Sequence, residues 1–367
     1  MTGTGGDAAA ALEALRAAGK GLKGREVRLM EVCGGQTHAI LRHGLDGLLP
    51  GGVRFLHGPG CPVCVTPAEY LDRAIALASG NARVTLCSFG DLWRVPSGRS
   101  GDLYSAKAAG ADVRMVGSPL EAVDIAKAEP GREVVFLAIG FETTAPANAL
   151  ALWRARAEGV GNFSEYASQF LVPPALRAIC ADEAWAPDAI LAAGHVCAVS
   201  GVGEYRALAK ELGRPVVVAG FTPAELLSAA AVAVRWVLEG RAEVYNAYPA
   251  VVREEGNPAG RELVRRVFEV CDREWRGLGR LAMSGLRVGA EFAEWDAERR
   301  FPELREGRTQ QVASIPGGCE AGKVLLGRME PTECPMFGRE CTPASPQGAP
   351  MVSPEGACAA FYLHRRG

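Results

Sequence analysis

The sequence has no excess of positive charge. Lysine and arginine total 40 against 42 acidic residues, a formal net charge of −2, so little is available to neutralise a phosphate backbone and nucleic acid is not expected as a main partner. No run approaches about 18 consecutive apolar residues, which argues against a membrane-spanning helix and a membrane partner. The first 24 residues, MTGTGGDAAAALEALRAAGKGLKG, lack the compact apolar centre of a signal peptide. A cytoplasmic protein is expected. There is no strict internal period, and nothing in the composition points to disorder. With 367 residues and 48% hydrophobic content, the chain can bury large cores, and its length suggests two or three domains.

What is abundant is cysteine. Eleven cysteines in a reducing compartment call for an explanation other than a disulfide framework, and clustered cysteines there more often bind metal or do redox work. Cys33, Cys61 and Cys64 lie near the amino end; Cys319, Cys334, Cys341 and Cys358 lie near the carboxyl end. Cys87, Cys180, Cys197 and Cys271 stand singly between them and read as small buried hydrophobes.

A second pattern runs through the chain. Short apolar, β-branched runs (VRLMEVCGG, VRFLHGPG, RVTLCSFGD, VRMVGSP, VVFLAIGFETT, AILAAGHV, PVVVAGFTP) each lead into a glycine-bearing loop and then a segment with apolar residues at three and four. Near-continuous apolar strands alternating with helices imply parallel sheets covered on both faces, hence the α/β class. The strand count exceeds one modest sheet, so two similar α/β domains are expected. The division is an amino-terminal lead-in 1–25, an α/β domain 26–150, a second α/β domain 151–255, and a helical, cysteine-bearing region 256–367. In open parallel sheets ligands collect beyond the carboxyl ends of strands. Cys33, Cys61, Asp91, Glu142, Thr143, Thr144, His195 and Thr222 fall at such ends and are expected to face one cleft, although turn chemistry alone also accounts for glycines and threonines there.

CPVC, residues 61–64, is the sharpest short motif. A C-x-x-C pair on a turn can close a disulfide and exchange rapidly, or it can begin a tetrahedral zinc site. The tail reads C-x14-C-x6-C-x16-C in a tract rich in glycine and proline. Four thiolates from loops can hold a 4Fe-4S cluster, and proline directly after a ligand, as in Cys334-Pro335, recurs around such clusters; zinc remains the competitor, though it usually prefers tighter pairs. Cys33 opens a Gly-Gly loop, and His38 and His195 are candidates to orient or share an ion with it, or else are ordinary buried histidines. Thiolate with imidazole suits iron, copper or zinc better than magnesium.

Taken together, MEVCGGQTHAI, GPGCPVCVTP, GFETTAP, AGHVCAVSG and the tail from ECPMFGRECTP to MVSPEGACAAFY resemble the HypD family, the maturation factors of nickel-iron hydrogenases. The likeness runs from about residue 25 to the end. It implies two α/β domains and an iron-sulfur region around a central cleft. It also implies a small HypC-type chaperone as partner, on whose complex an iron atom acquires one CO and two cyanide ligands, and a HypE-type partner as cyanide donor. By position Cys33 matches the family cysteine that holds the iron. Cys61 and Cys64 match the thiol pair, and Cys319, Cys334, Cys341 and Cys358 the ligands of a 4Fe-4S cluster. His38, His195, Glu142, Thr143 and Thr144 fall in family motifs lining the cleft. Two positions depart from the family pattern: Pro350 stands where a cysteine is common, and Gln36 where many relatives carry histidine. A reading of a different class also fits the residues, a free-standing thiol-disulfide oxidoreductase in which a cluster reduces the Cys61–Cys64 pair.

Overall fold

A computed structural model gives the placement of residues 4–305 and 318–365. Residues 1–3 of the expected lead-in, and 306–317 and 366–367 of the expected cysteine-bearing region, lie outside the described residues. Among the described residues the strands are β1 (Val27–Glu31), β2 (Val53–His57), β3 (Val84–Ser88), β4 (Asp112–Met115), β5 (Glu133–Gly140), β6 (Phe163–Phe170), β7 (Ala189–Ala193), β8 (Val216–Ala219), β9 (Val244–Asn246), β10 (Phe268–Trp275) and β11 (Gly279–Val288). They form two sheets, in the orders β2-β1-β7-β8-β9 and β10-β11-β6-β5-β3-β4. The first is parallel throughout. In the second, β3 to β6 are parallel, and the β10–β11 hairpin joins antiparallel to β6. The α/β class with two mostly parallel sheets is as the strand pattern predicts.

The expected division at about residue 150 is not how the sheets are built. The first sheet takes β1 and β2 from residues 27–57 and β7 to β9 from 189–246, while β3 to β6 and the hairpin make the second. The chain crosses from one sheet to the other three times, after β2, β6 and β9. Strands of both sheets carry the same apolar pattern, and that pattern fixes burial but not the choice of neighbour.

Alternation along the strands divides the core. Leu29, Leu191 and Val217 pack on one face of the first sheet, beneath the helices Thr4–Gly19 and Pro223–Glu239. Met30, Ile190 and Val216 point the other way, into a core continuous with Leu137, Tyr166 and Phe170 of the second sheet. Burying each such side chain stabilises the fold by about 1.5–3 kcal/mol, and the shared core holds the two sheets in a fixed relation. The loops at the strand ends are held as firmly. Thr222 accepts from the Glu225 backbone N–H at 3.3 Å, Glu225 accepts from the Thr222 N–H at 2.9 Å, and proline follows at the first helical position. Such a capping box, in which each residue satisfies a donor the helix leaves open, fixes where the helix Pro223–Glu239 begins.

Candidate functional site

Cys33 follows β1 and is the amino-terminal cap of the helix Gly34–Arg42. Its thiol is 2% exposed, and its Sγ lies 3.6 Å from Nδ1 and 3.9 Å from Nε2 of His195, which follows β7. Burial pushes the thiol up, and the carboxylates Glu31 and Glu355 push the same way, while backbone amides at Gln36 and Gly35 pull it down. Burial lowers His195, so its imidazole is neutral at physiological pH. A neutral imidazole beside a thiol at a helix amino terminus is a ready donor pair for a soft or borderline cation, whose charge would offset the cost of ionising the thiol.

The CPVC pair lies against this residue. Gly60 donates no side chain where one would collide: a Cβ there would come 2.3 Å from the Cys33 backbone N. The Gly34 N–H donates to the Gly60 carbonyl at 3.0 Å. Cys61 and Cys64 are joined as a disulfide, and Cys61 caps the short helix Pro62–Val65, its Sγ accepting from the Cys64 N–H at 3.2 Å.

Between the strand ends of the two sheets lies a cavity of about 270 Å³, lined among others by Gly60, Pro62, Asp91, Thr143, Thr144, His195 and Glu355. Thr144 is held by its own loop, its hydroxyl donating to the Phe141 carbonyl at 3.1 Å and to Gln169 Oε1 at 3.3 Å. Burial raises the carboxyls of Asp91 and Glu355, and Glu355 also feels the charge of Asp91. The cavity therefore places two acids and an imidazole beside Gly60, Pro62 and Val63 of the CPVC segment, while the Cys33, Cys61 and Cys64 side chains are buried and do not line it.

Three expected residues are placed elsewhere. His38 lies further along the helix Gly34–Arg42 and packs edge-on against His364, with ring centroids 4.8 Å apart. At about 100° per residue, five residues turn it roughly 140° away from Cys33. Glu142 lines a separate cavity of about 290 Å³ with Val199, Glu204, Arg261 and Leu286. Its Oε1 accepts from the Val172 N–H at 2.9 Å, its Oε2 is buried without a hydrogen-bond partner, and burial lifts its carboxyl to about 7. Thr222 is occupied in its capping box.

Sequence reasoning missed the residue under Cys33. Glu31, fully buried at the end of β1, accepts from the Cys33 N–H with Oε2 at 2.9 Å, while Oε1 meets the Thr37 hydroxyl and lies 2.8 Å from His57 Nδ1. The signal was present: an acid closes the strand run VRLME, next to the apolar Leu29 and Met30, and a histidine closes the neighbouring VRFLH. Gln36, fully buried, donates to the Ala219 carbonyl at 3.0 Å and so ties the same helix to the end of β8.

Cys319, Cys334, Cys341 and Cys358 line one small cavity, together with Val324, Met336, Met351 and Pro350. Burial raises Cys358, and the charges of the other three push in the same direction. Among the described residues no three histidine, cysteine, aspartate or glutamate side chains approach closely enough to hold a single ion. The tail reaches the first site directly, since a Cβ on Gly34 would come 2.3 Å from the Glu355 carbonyl, and Phe361 packs edge-on against His57.

Comparison with known proteins bears on the whole chain. The HypD family model, described as "Hydrogenase formation hypA family", matches residues 8–365. The "Hydrogenase maturation factor HypD" of Rhodobacter capsulatus is 46% identical over 341 residues, covering 93% of this chain and 90% of that protein. The protein of the same name from Escherichia coli strain K12 is 44% identical over 343 residues, covering 93% and 90%. The "Hydrogenase expression/formation protein HupD" of Azotobacter chroococcum mcd 1 is 46% identical over 360 residues, covering 96% and 93%. The chain belongs to the HypD family of hydrogenase maturation factors.

Proposed function

We propose that this chain is the scaffold on which an iron atom, as cargo, acquires one CO and two cyanide ligands for a nickel-iron hydrogenase. A HypC-type chaperone completes the iron site and a HypE-type partner donates cyanide. The observation that carries the reading is the Cys33 thiol 3.6 Å from the His195 imidazole, which lines the same cavity as Pro62 and Val63 of the disulfide-bearing CPVC segment.

Strong-field diatomic ligands call for an electron-rich ferrous iron, which a thiolate donor favours. Cys33 is the chain's iron ligand in this account. The helix amides at Gly35 and Gln36 partly offset the burial that raises this thiol, a bound cation would displace its proton, and His195 is placed to share the ion. Transfer of cyanide from a thiocyanate leaves sulfur behind. Cyanide leaving as the anion leaves that sulfur two electrons oxidised; the reduced Cys61–Cys64 dithiol would supply the two electrons and end as the disulfide seen here, which two further electrons, delivered singly by a cluster, and two protons would reopen. Thr143 and Thr144 offer hydroxyls at the cavity wall, beside the Asp91 and Glu355 carboxyls, which burial raises.

The four tail cysteines surround one cavity, as the ligands of a cluster would. Cys319, Cys334, Cys341 and Cys358 would hold a 4Fe-4S cluster, which supplies one-electron redox chemistry when bound. Pro350 sits in the cavity wall among these four cysteines, which would supply four ligands without a thiol at that position.

Anaerobic titration with ferrous iron, in the presence of the HypC-type chaperone, tests the scaffold reading. Wild type and Cys87→Ala are expected to retain an iron beyond the cluster, and Cys33→Ala to lose it. Equal retention by all three contradicts it. The disulfide itself favours a second reading, a thiol-disulfide oxidoreductase, in which Cys33→Ala keeps full disulfide-reductase activity toward a protein client.

A further inference from the structure

The β10–β11 hairpin belongs to the second sheet, yet its tip lies between the CPVC helix and the cysteine cavity. On one side the Arg276 backbone N–H donates to the Val65 carbonyl at 2.7 Å and its Nε donates to the Thr66 carbonyl at 2.9 Å. These carbonyls end the helix Pro62–Val65, where a cation is favourably placed. On the other side, Gly277 has φ +85° and a Cβ there would come 2.8 Å from Gly322 Cα, so the turn abuts the helix Ala321–Leu325 that begins just after Cys319.

Arg276 is 8% exposed. Among the described residues no carboxylate forms an ion pair with it, and Glu69 acts on it only from beyond ion-pair distance. A buried charge without a counter-charge is costly, and structures that keep one place an anion beside it. Cys319 lies within electrostatic reach of the guanidinium, and the turn that carries Arg276 touches Gly322, three residues further on.

We propose that Arg276 is the counter-charge of the four-cysteine cavity, clamped there by the end of the CPVC helix, and that it eases the entry of an electron into a cluster bound at that cavity. The inference rests on the cluster reading above. Each electron entering the cavity adds one negative charge, so a fixed guanidinium stabilises the reduced state and raises its potential. Arg276 is a positioning residue: it touches the thiol pair's helix and lies within electrostatic reach of Cys319 but reacts with neither. Its two hydrogen bonds to the end of that helix also mean that the CPVC segment cannot shift without moving this charge.

Redox titration of the anaerobically purified full chain, followed by visible absorption and electron paramagnetic resonance, tests this with Arg276→Gln and Arg276→Lys. The neutral variant is expected to show, at a fixed potential, about a tenfold lower ratio of reduced to oxidised cluster, about 59 mV for a one-electron couple. The lysine variant is expected to stay near wild type. A folded Arg276→Gln chain that loads no cluster while Arg276→Lys loads it also supports the counter-charge. Unchanged potential in Arg276→Gln overturns the proposal, as does an equal shift or equal cluster loss in both variants, since these trace to packing and not to charge. A wild-type chain that takes up no iron and sulfide overturns the cluster reading and this inference with it.

Discussion

Removing the Glu31 carboxylate should loosen the Cys33 loop at a cost that can be worked out from its partners. The side chain is fully buried and serves the Cys33 N–H, the Thr37 hydroxyl and His57 Nδ1 at once. In Glu31→Ala, Thr37 retains a second acceptor, the Cys33 carbonyl at 3.3 Å, but the Cys33 and His57 donors lose theirs. Hydrogen bonds to a charged group contribute about 1.5–3 kcal/mol each, and an orphaned buried donor costs about 1–3 kcal/mol. Because the bonds share one carboxylate they do not simply add, and a loss of roughly 3–6 kcal/mol is expected. Glu31→Gln keeps the shape but turns an amide N–H toward a donor, for a loss of about 2–3 kcal/mol. Urea unfolding followed by circular dichroism reads both as a fall in midpoint at constant slope. Both variants within about 0.5 kcal/mol of wild type, the range of ordinary surface substitutions, would refute the network's role.

Three further outcomes follow from the geometry. Glu142 has its carboxyl raised from 4.5 to about 7 by burial, so ionising it costs more in the folded chain than in the unfolded one. Its effect on stability is nil below about pH 4.5 and grows unfavourable as pH rises toward 7, to a loss on the order of 3 kcal/mol. Glu142→Gln is expected to flatten that part of the stability profile measured by urea unfolding; an unchanged slope contradicts the assignment. Cys61→Ala and Cys64→Ala are expected to load iron but fail to acquire cyanide, and full-strength cyanide bands in the infrared from either variant would exclude the thiol pair from that step. Thr222→Ala removes the cap of the helix Pro223–Glu239 and should cost about 1 kcal/mol in thermal or urea unfolding, with no effect on iron retention, since Thr222 lies outside the cleft.

The parallel sheets were legible because a strand covered on both faces must read as a continuous apolar run, and VVFLAIG or AILAA can do little else. Strand adjacency was not, because that same pattern serves either sheet, and the chain's return to the first sheet at β7 leaves no local mark. The cleft was legible in part. Cys33, His195, Thr143, Thr144 and the CPVC loop converge because each follows the carboxyl end of a parallel strand, a rule of topology. His38 was expected in the same cleft from its nearness to Cys33 and Glu142 from the same strand-end rule, and both fall in family motifs. The helix turns His38 onto another face, and successive residues of the loop after β5 send Glu142 and Thr143 to different cavities. Glu31 and Arg276 went unread for a different reason. Their roles depend on what a buried charge meets across the fold, and no spacing in the sequence records that meeting.

The most direct measurement of the central claim is the infrared spectrum, in the CO and cyanide stretching region, of the anaerobically purified chain co-expressed with its small chaperone. Wild type is compared with Cys33→Ala. The account predicts CO and cyanide bands in wild type and none in the variant while the visible absorption of the cluster is equal in both. Bands of equal strength in the two proteins would contradict Cys33 as the iron ligand. Silence in both, with the cluster intact, would contradict the scaffold itself and favour the thiol-disulfide oxidoreductase.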